Sequence, residues 1–450
     1  MSGGPDERSR VKNGRVTLGT TPPRGMRDVL PAEVELRDAA AQQIVTVYRS
    51  YGFRRIETPA LESLPLLIGS EGGENEKLIF KVLKRGEDLE AALRQDGREL
   101  ADLGLRYDLT VPLARYYAEN HAQLPDPLKA IQIGPVWRAE RPQKGRFRQF
   151  TQCDIDVLGV ASPVVEIELI LATSEALARL GLTDLTVRIN DRRILALIAR
   201  HCGIDERAQG GFFITFDKLD KIGAEGVLTE LRQSGSDPAA VTRFEQLLPT
   251  LQKGDLSLPT LRASLGGDAP GEAFEWLDTI IRTASGDLPG GTRVVFDPTL
   301  VRGMGYYTGT IFEISSPAFP SSIAGGGRYD RMVGKLLGRD VPACGFSIGF
   351  ERLILILSDR AGAALPEASA AAVAPRRLAL VVDGHADLAA ALAAARRLRG
   401  EGYLVSVELR RKNFGKQLDD FARHGFWGFA APDASGVLAV KPLTGPQERG

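Results

Sequence analysis

A basic hairpin is the feature that most limits how this chain can fold. Residues 136–150 read VWRAERPQKGRFRQF, and five of the eleven residues from 138 to 148 are basic. Strand-like flanks surround the segment and Pro142 and Gly145 interrupt it, which predicts two antiparallel strands joined by a cationic loop. Basic residues that alternate along a strand share one face. Beside aromatic rings they suit a phosphorylated, ring-bearing ligand, and a solvated charged turn is the alternative.

Three later segments carry weaker signals. Residues 300–309, LVRGMGYYTG, place Arg302 and two tyrosines beside glycines, where a pair of core tyrosines is the alternative. Residues 324–330, AGGGRYD, predict a glycine-rich turn, which is weak support for phosphate binding. Residues 344–353, CGFSIGFERL, predict a strand that turns into a helix with Arg352 in its first turn, where a surface ion pair is the alternative. The chain has no G-x-x-x-x-G-K-[ST] sequence, which excludes P-loop chemistry.

Composition removes several classes of function. Lys plus Arg and Asp plus Glu both number 57, so any binding to nucleic acid depends on local basic surfaces. Three separated cysteines exclude a disulfide framework and a cysteine zinc site, and they fit a reducing compartment. The four histidines are too scattered for a metal cluster. No apolar run is long enough to span a membrane, and the N-terminus lacks the apolar core of a secretory signal.

The length of 450 residues predicts two or three domains. Mixed strand and helix patterns, a helical charged stretch and an Ala- and Pro-rich stretch divide the chain. We expect a flexible tail at 1–21, an α+β domain at 22–190 and 291–358, a helical insertion at 191–290, a linker at 359–375, and a small α/β domain with parallel strands at 376–450.

In this order the segments resemble a class II aminoacyl-tRNA synthetase, and more closely the histidyl-tRNA synthetase family. ETPALE with Pro59 is similar to motif 1, the basic hairpin to motif 2 and GFSIGFERL to motif 3. The resemblance extends from about Arg24 to about Leu443 through RGMRDVLP, LGLRYDLTVPLARY, TQCDIDVLG, LVRGMGYYTGTIFE and AGGGRYD. It implies an α+β catalytic domain whose antiparallel sheet is flanked by helices, followed by an anticodon-binding-like domain.

The resemblance implies a cytoplasmic histidine–tRNA ligase that acts in protein biosynthesis. Such an enzyme joins L-histidine to ATP as histidyl-adenylate and transfers the histidyl group to the 3′ end of tRNA(His). It implies Mg²⁺ accompanying ATP, no metal ligands from a protein motif, and a homodimer whose interface includes motif 1. Two alternatives stay open: a histidine-sensing regulatory paralogue of ATP phosphoribosyltransferase, and a synthetase duplicate recruited to biosynthesis.

The resemblance also assigns roles residue by residue. For catalysis it implies Arg138 and Arg302. The implied ATP-binding residues are Arg138, on the α-phosphate, Glu140, Phe150 and Arg352, near the γ-phosphate. The implied histidine-binding residues are Asp108, Thr110, Gln152, Asp156, Arg302, Tyr306, Tyr307 and Tyr329. The implied tRNA-binding residues are Gln143 and Arg146.

Elementary chemistry agrees with these roles. Charge builds on the phosphate oxygens when a carboxylate attacks the α-phosphorus, and cations aimed there lower the barrier. An imidazole has a donor and an acceptor, so a polar pocket rejects apolar isosteres. Asp108 and Asp156 stand where many family members carry Glu, which keeps the charge and shortens the reach. Gly305 stands where the family often has Asp.

Overall fold

The structure is a computed structural model. It describes residues 9–12, 15–18, 20–69, 74–94, 99–142, 146–254, 256–266, 271–301, 306–359, 376–432 and 438–443. Within the expected tail, strands β1 (Ser9–Lys12) and β2 (Arg15–Leu18) pair antiparallel. The sequence does carry a hairpin signal there, because an Asn-Gly dipeptide at 13–14 separates two short runs with β-branched residues.

The first part of the α+β domain alternates helices with strands. Its elements are α1 (Pro31–Ser50), β3 (Arg54–Arg55), β4 (Leu61–Ser63), α2 (Leu64–Gly69), a 3₁₀-helix (Glu74–Leu78), β5 (Lys81–Leu83), α3 (Gly86–Arg94), β6 (Ala101–Leu105), α4 (Thr110–Asn120), β7 (Leu128–Trp137), β8 (Gln149–Leu158) and α5 (Val164–Arg179). The segment around Pro59 forms two short strands, β3 and β4, with Pro59 between them, since proline has no N–H for a ladder.

A helical excursion follows. Its elements are β9 (Thr186–Asp191), α6 (Arg192–His201), α7 (Glu206–Phe216), α8 (Leu219–Gln233), α9 (Pro238–Leu251), α10 (Leu258–Ser264), α11 (Glu272–Ser285) and β10 (Arg293–Phe296). Strands β9 and β10 are parallel neighbours in one sheet. The six helices are therefore inserted along the chain between two strands that pair with each other. Phe212, Phe216 and Phe244 pack edge to face between α7 and α9.

The chain then returns to the sheet and ends in the small α/β domain. The elements are β11 (Thr310–Ser316), β12 (Phe319–Arg328), α12 (Gly334–Leu337), β13 (Ala343–Gly349), α13 (Phe350–Asp359), β14 (Arg377–Val382), α14 (Leu388–Gly400), β15 (Leu404–Leu409), α15 (Phe414–Arg423), β16 (Gly428–Pro432) and β17 (Leu438–Pro442).

The main sheet has eight strands in the order β10-β9-β11-β12-β13-β8-β7-β3. The six strands from β9 to β7 run antiparallel to their neighbours, while β10 and β3 pair parallel at the two ends. Helix α5 is buried along most of its length and packs with α1 on this sheet. Strands β4, β6 and β5 form a separate three-stranded sheet. In the described residues no helix combines the length and apolarity needed to cross a membrane.

The C-terminal sheet has the order β15-β14-β16-β17. Strand β14 is parallel to β15 and β16, as expected, but β17 is antiparallel to β16. The prediction of parallel strands was therefore wrong for β17, which follows β16 directly without the helix that a parallel crossover needs.

Candidate active site

A cavity of about 310 Å³ opens over the antiparallel part of the main sheet. It collects twelve of the fourteen residues that the resemblance implies: Asp108, Thr110, Arg138, Glu140, Arg146, Phe150, Gln152, Asp156, Tyr306, Tyr307, Tyr329 and Arg352. The other two, Arg302 and Gln143, lie outside the described residues. Residues as far apart in the chain as Asp108 and Arg352 are thus brought to one site.

Glycines form the floor of this cavity. Gly325, Gly326 and Gly327 belong to strand β12, and the prediction of a turn there was wrong. A Cβ on Gly326 would overlap the carbonyl oxygen of Gly345 on β13, and a Cβ on Gly345 would overlap the Asp156 carboxylate. The glycine run therefore provides close strand packing and an open floor, because no side chain rises above it.

Arg138 stands at the end of the predicted hairpin, which β7 and β8 form. Its Nε donates to the carbonyl oxygen of Tyr107 at 2.9 Å, and its guanidinium lies 5.1 Å from the ring centroid of Phe150. The backbone N–H of Arg138 donates to the carbonyl oxygen of Arg148 across the hairpin. These contacts fix the cation beside an aromatic ring that also lines the cavity.

A second group of charges surrounds the start of α13. The Glu351 carboxylate binds Arg37 through both oxygens at 2.7 and 2.8 Å and accepts the N–H of Thr151. Burial disfavours its charge, but the hydrogen bond and charge of Arg37 hold the pKa of Glu351 below its ordinary range. Glu351 is thus anionic and forms an ion pair with Arg37. The neighbouring Arg352 donates to the carbonyl oxygen of Ser322.

Three buried carboxylates line another part of the cavity: Asp108, Asp154 and Asp156. Burial raises the pKa of Asp108 to about 6, although the hydrogen bond that Asp108 accepts from the N–H of Val111 partly offsets this rise. Burial raises the pKa of Asp156 to about 7, although the hydrogen bond that the Tyr329 hydroxyl donates to Asp156 at 2.5 Å partly offsets this rise. Burial and then the charge of Asp156 raise the pKa of Asp154.

Several buried acceptors in this group lack a protein partner. Among the described residues, Oδ2 of Asp108, Oδ2 of Asp156 and Oε1 of Gln152 make no hydrogen bond. Buried polar atoms are normally paired, and unpaired acceptors beside raised carboxylate pKa values favour a cation with several N–H donors. An ammonium group fits this description.

Three tyrosines close the cavity beside these carboxylates. The rings of Tyr306 and Tyr307 lie 4.6 Å apart by centroid, and Tyr306 meets Tyr329 edge to face at 5.9 Å. Tyr306 and Tyr329 are buried and Tyr307 is half-buried, yet all three line the cavity. The tyrosines therefore pack on one another and also face a ligand space.

Asp154 is a residue of the site that the motif comparison missed. The signal was present, since Gln152, Asp154 and Asp156 alternate along β8 and so share one face. Arg146, at the mouth of the cavity, is half exposed and lies 3.6 Å from Glu140. Among the described residues no group of three or more His, Cys, Asp or Glu side chains is arranged to hold a metal ion.

Comparison with known proteins decides the family. A family model described as histidyl-tRNA synthetase matches residues 25–353. The chain belongs to the histidyl-tRNA synthetase family. It is 48% identical over 438 residues to the histidine–tRNA ligase of Leifsonia xyli subsp. xyli, covering 94% of this chain and 98% of the relative. It is 39% identical over 394 residues to the histidine–tRNA ligase of Aeropyrum pernix, covering 87% of this chain and 85% of that relative.

Solved structures agree with the family and confirm the class II synthetase-like fold. A histidyl-tRNA synthetase from a Nostoc species matches with a TM-score of 0.64 at 27% identity, over 95% of this chain and 97% of that one. A Bacillus halodurans protein, described as an ATP phosphoribosyltransferase regulatory subunit/histidyl-tRNA synthetase, matches with a TM-score of 0.63 at 21% identity, over 90% and 97% of the two chains. That second likeness concerns the fold alone.

Proposed function

We propose that this chain is a histidine–tRNA ligase that makes histidyl-adenylate from L-histidine and ATP and then charges tRNA(His). The observation that carries the proposal is the composition of one cavity. It combines fixed arginines for phosphates, an aromatic ring for a base, and buried carboxylates with unpaired oxygens for an ammonium group. The identity to histidine–tRNA ligases over nearly the whole chain supports the same reaction.

The activation step joins the two substrates at Arg138. An oxygen of the histidine carboxylate attacks the α-phosphorus, the bond from that phosphorus to the bridging oxygen breaks, and diphosphate leaves. Burial raises the pKa of Asp108 and Asp154, and the charge of Arg138 partly offsets that rise. The Arg138 guanidinium therefore lies close to the proposed ammonium pocket, which is formed by Asp108, Gln152 and Asp156. It is therefore placed to bind the substrate carboxylate and the α-phosphate together, where charge develops.

The remaining roles are those that the family resemblance implies. Glu140 reads the adenine edge, Phe150 stacks on the ring, and Arg352 binds the γ-phosphate. The imidazole lies against the tyrosines, and the ammonium group binds the unpaired acceptors. The proposed histidine-binding residues are Asp108, Thr110, Gln152, Asp156, Tyr306, Tyr307 and Tyr329. Arg302, from the family motif, is the second catalytic arginine.

Transfer follows when a hydroxyl at the 3′ end of tRNA attacks the histidyl carbonyl, and AMP leaves. Arg146, at the cavity mouth, and Gln143 contact the acceptor stem in this proposal. Mg²⁺ would accompany ATP, as the family resemblance implies, and would offset negative charge on the phosphates. We also propose that the enzyme acts in the cytoplasm and that it is a homodimer. Its proposed domain limits are those expected from the sequence. Light scattering on the intact chain measures the subunit number.

The test is exchange of labelled diphosphate into ATP with each amino acid, followed by charging of tRNA. We expect exchange that depends on L-histidine and charging of tRNA(His). Histidine-dependent exchange without charging would favour the duplicate recruited to biosynthesis. Histidine binding without any exchange would favour the regulatory paralogue, whose fold the chain also matches.

A further inference from the structure

The partners of Gln152 across the sheet suggest how its amide is oriented. Strand β8 pairs with β13 so that Gln152 faces Gly349, Asp154 faces Ser347 and Asp156 faces Gly345. The two glycines leave space above Gln152 and Asp156, but Ser347 fills the position opposite Asp154. Asp154 is thus the one of these three whose paired residue on β13 carries a side chain, and all three line the cavity.

Asp154 and Ser347 form a closed triangle with the amide of Gln152. The Ser347 hydroxyl donates to Oδ1 of Asp154. The Gln152 amide nitrogen lies 3.3 Å from Oδ2 of Asp154 and 3.3 Å from the Ser347 oxygen. An amide has its donors on one side and its acceptor on the other. Because the nitrogen is held here, the oxygen Oε1 is the side left over, and it is buried without a partner among the described residues.

We propose that Asp154 and Ser347 are positioning residues that hold the Gln152 carbonyl toward the substrate ammonium group. This inference rests on the proposed function. A flipped amide would present its NH₂ to the ammonium, so donor would face donor. Asp154 acts through Gln152 and does not itself bind the substrate. Its burial at 3% exposure keeps water from competing for the amide nitrogen.

The test compares two ligands that differ in the ammonium group. L-histidine carries it, and 3-(imidazol-4-yl)propanoate lacks it. We expect Asp154→Asn to weaken binding of L-histidine about tenfold or more by calorimetry, since a misoriented Gln152 amide no longer accepts a hydrogen bond from the charged ammonium group. Binding of the propanoate should change less than about twofold. Ser347→Ala should show the same selectivity with a smaller loss.

A double-mutant cycle separates positioning from direct attraction. In a Gln152→Ala background, Asp154→Asn should cause no further loss of histidine affinity. Additive losses would overturn the inference, because Asp154 would then act on the ammonium through its own charge. Ser315→Ala is the matched control, since Ser315 lies on β11 outside the cavity and binds the Thr186 carbonyl.

The outcomes are separable from the proposed function. If the unmodified chain binds no histidine, the proposed function fails and this inference fails with it. If the unmodified chain binds histidine and Asp154→Asn leaves both affinities unchanged, this inference alone is overturned. If Asp154→Asn does not fold, Ser347→Ala carries the same comparison, since it removes only a hydroxyl group. Equal loss for both ligands in that variant would also overturn the inference.

Discussion

At the scale of single residues, the proposed ammonium pocket contains carboxyl groups whose ionisation is disfavoured by burial. Asp108 and Asp156 are buried with pKa values raised by burial to about 6 and about 7. For a carboxyl group with a raised pKa, the contribution to folding stability is present below its unfolded pKa of about 4 and is lost as pH rises through the folded value. Near neutral pH the free protein therefore gains by binding a cation there.

Histidine-site affinity should consequently depend on pH. As pH falls below about 7 the two carboxyl groups take up protons, so affinity for an ammonium ligand should fall about tenfold or more per pH unit below pH 6. Calorimetry with β-(1,2,4-triazol-3-yl)alanine measures this, because its ring stays neutral across the range and only the protein titrates. Affinity that is constant from pH 5.5 to 8 would contradict the raised pKa values.

Arg302 is the residue whose removal should affect the chemistry most. We expect Arg302→Ala to lower the rate of histidine-dependent diphosphate exchange about 10²–10³-fold, the usual loss for one donor to a developing negative charge. The circular dichroism spectrum and Tm should stay near those of the unmodified chain. Arg282→Ala is the control, since that side chain is 73% exposed on α11. Near-normal exchange by folded Arg302→Ala would remove Arg302 from the catalytic residues.

At the scale of elements, the N-terminal segment before α1 holds the motif 2 loop. The carbonyl oxygen of Gly25 accepts the N–H of Arg148 at 2.8 Å, and Arg27 lies over the Phe147 ring at 5.0 Å. Gly25 has φ of +83°, and a Cβ there would lie 2.8 Å from side-chain carbons of both Pro142 and Arg148. Only glycine allows this close approach.

Gly25→Ala should therefore displace the loop and impair ATP binding. We expect the KM for ATP in diphosphate exchange to rise about tenfold, equivalent to about 1.4 kcal/mol. Gly223→Ala is the matched control, because Gly223 also has positive φ, at +70°, but has no atom within 4 Å of an added Cβ. Both variants carry backbone strain, so a rise in KM shared by both would show that strain, not contact with the loop, is responsible.

The elements also show what the sequence can and cannot predict. Strong local patterns located the hairpin of β7 and β8, the turn from β13 into α13, and the alternation of the C-terminal domain. The direction of β17 and the strand conformation of Gly325–Gly327 were missed, since both are set by pairing with distant strands. The contact of Asp154 with Ser347 could not be predicted, because the two residues are 193 positions apart and meet only through the pairing of β8 with β13.

At the scale of the whole molecule, buried charges join the C-terminal domain to the catalytic one. Lys129 on β7 binds Glu168 on α5 at 2.7 Å and the Val407 carbonyl at 3.3 Å. Arg399 on α14 donates to the Ser50 carbonyl and lies 3.4 Å from Glu168. Removing one member of a buried ionic group leaves the others uncompensated and is strongly destabilising.

The buried charges between the two domains decide how RNA binding by the C-terminal domain should be tested. Deletion of residues 376–450 would be expected to spare exchange and impair charging, but it also uncovers Glu168. Charge reversal in the intact chain avoids that effect. Lys412 and Lys416 are exposed near the start of α15, whereas Arg411 is half-buried and pairs with Asp126 and Asp420. The two lysines are therefore exposed cations through which the start of α15 can contact an RNA backbone.

We expect Lys412→Glu/Lys416→Glu to leave histidine-dependent diphosphate exchange unchanged and to lower charging of tRNA(His) at least tenfold. Each phosphate contact releases counterions, so the slope of log affinity against log salt should fall by about 1 for each lysine. Arg94→Glu/Arg282→Glu makes the same change in net charge at exposed sites on α3 and α11 and serves as the control. Equal loss in both double variants would mean that net charge, and not an RNA surface on α15, governs charging. Unchanged charging in the lysine variant would show that Lys412 and Lys416 do not contact tRNA. If the unmodified chain also charged tRNA(His) weakly, the result would favour a synthetase duplicate recruited to biosynthesis.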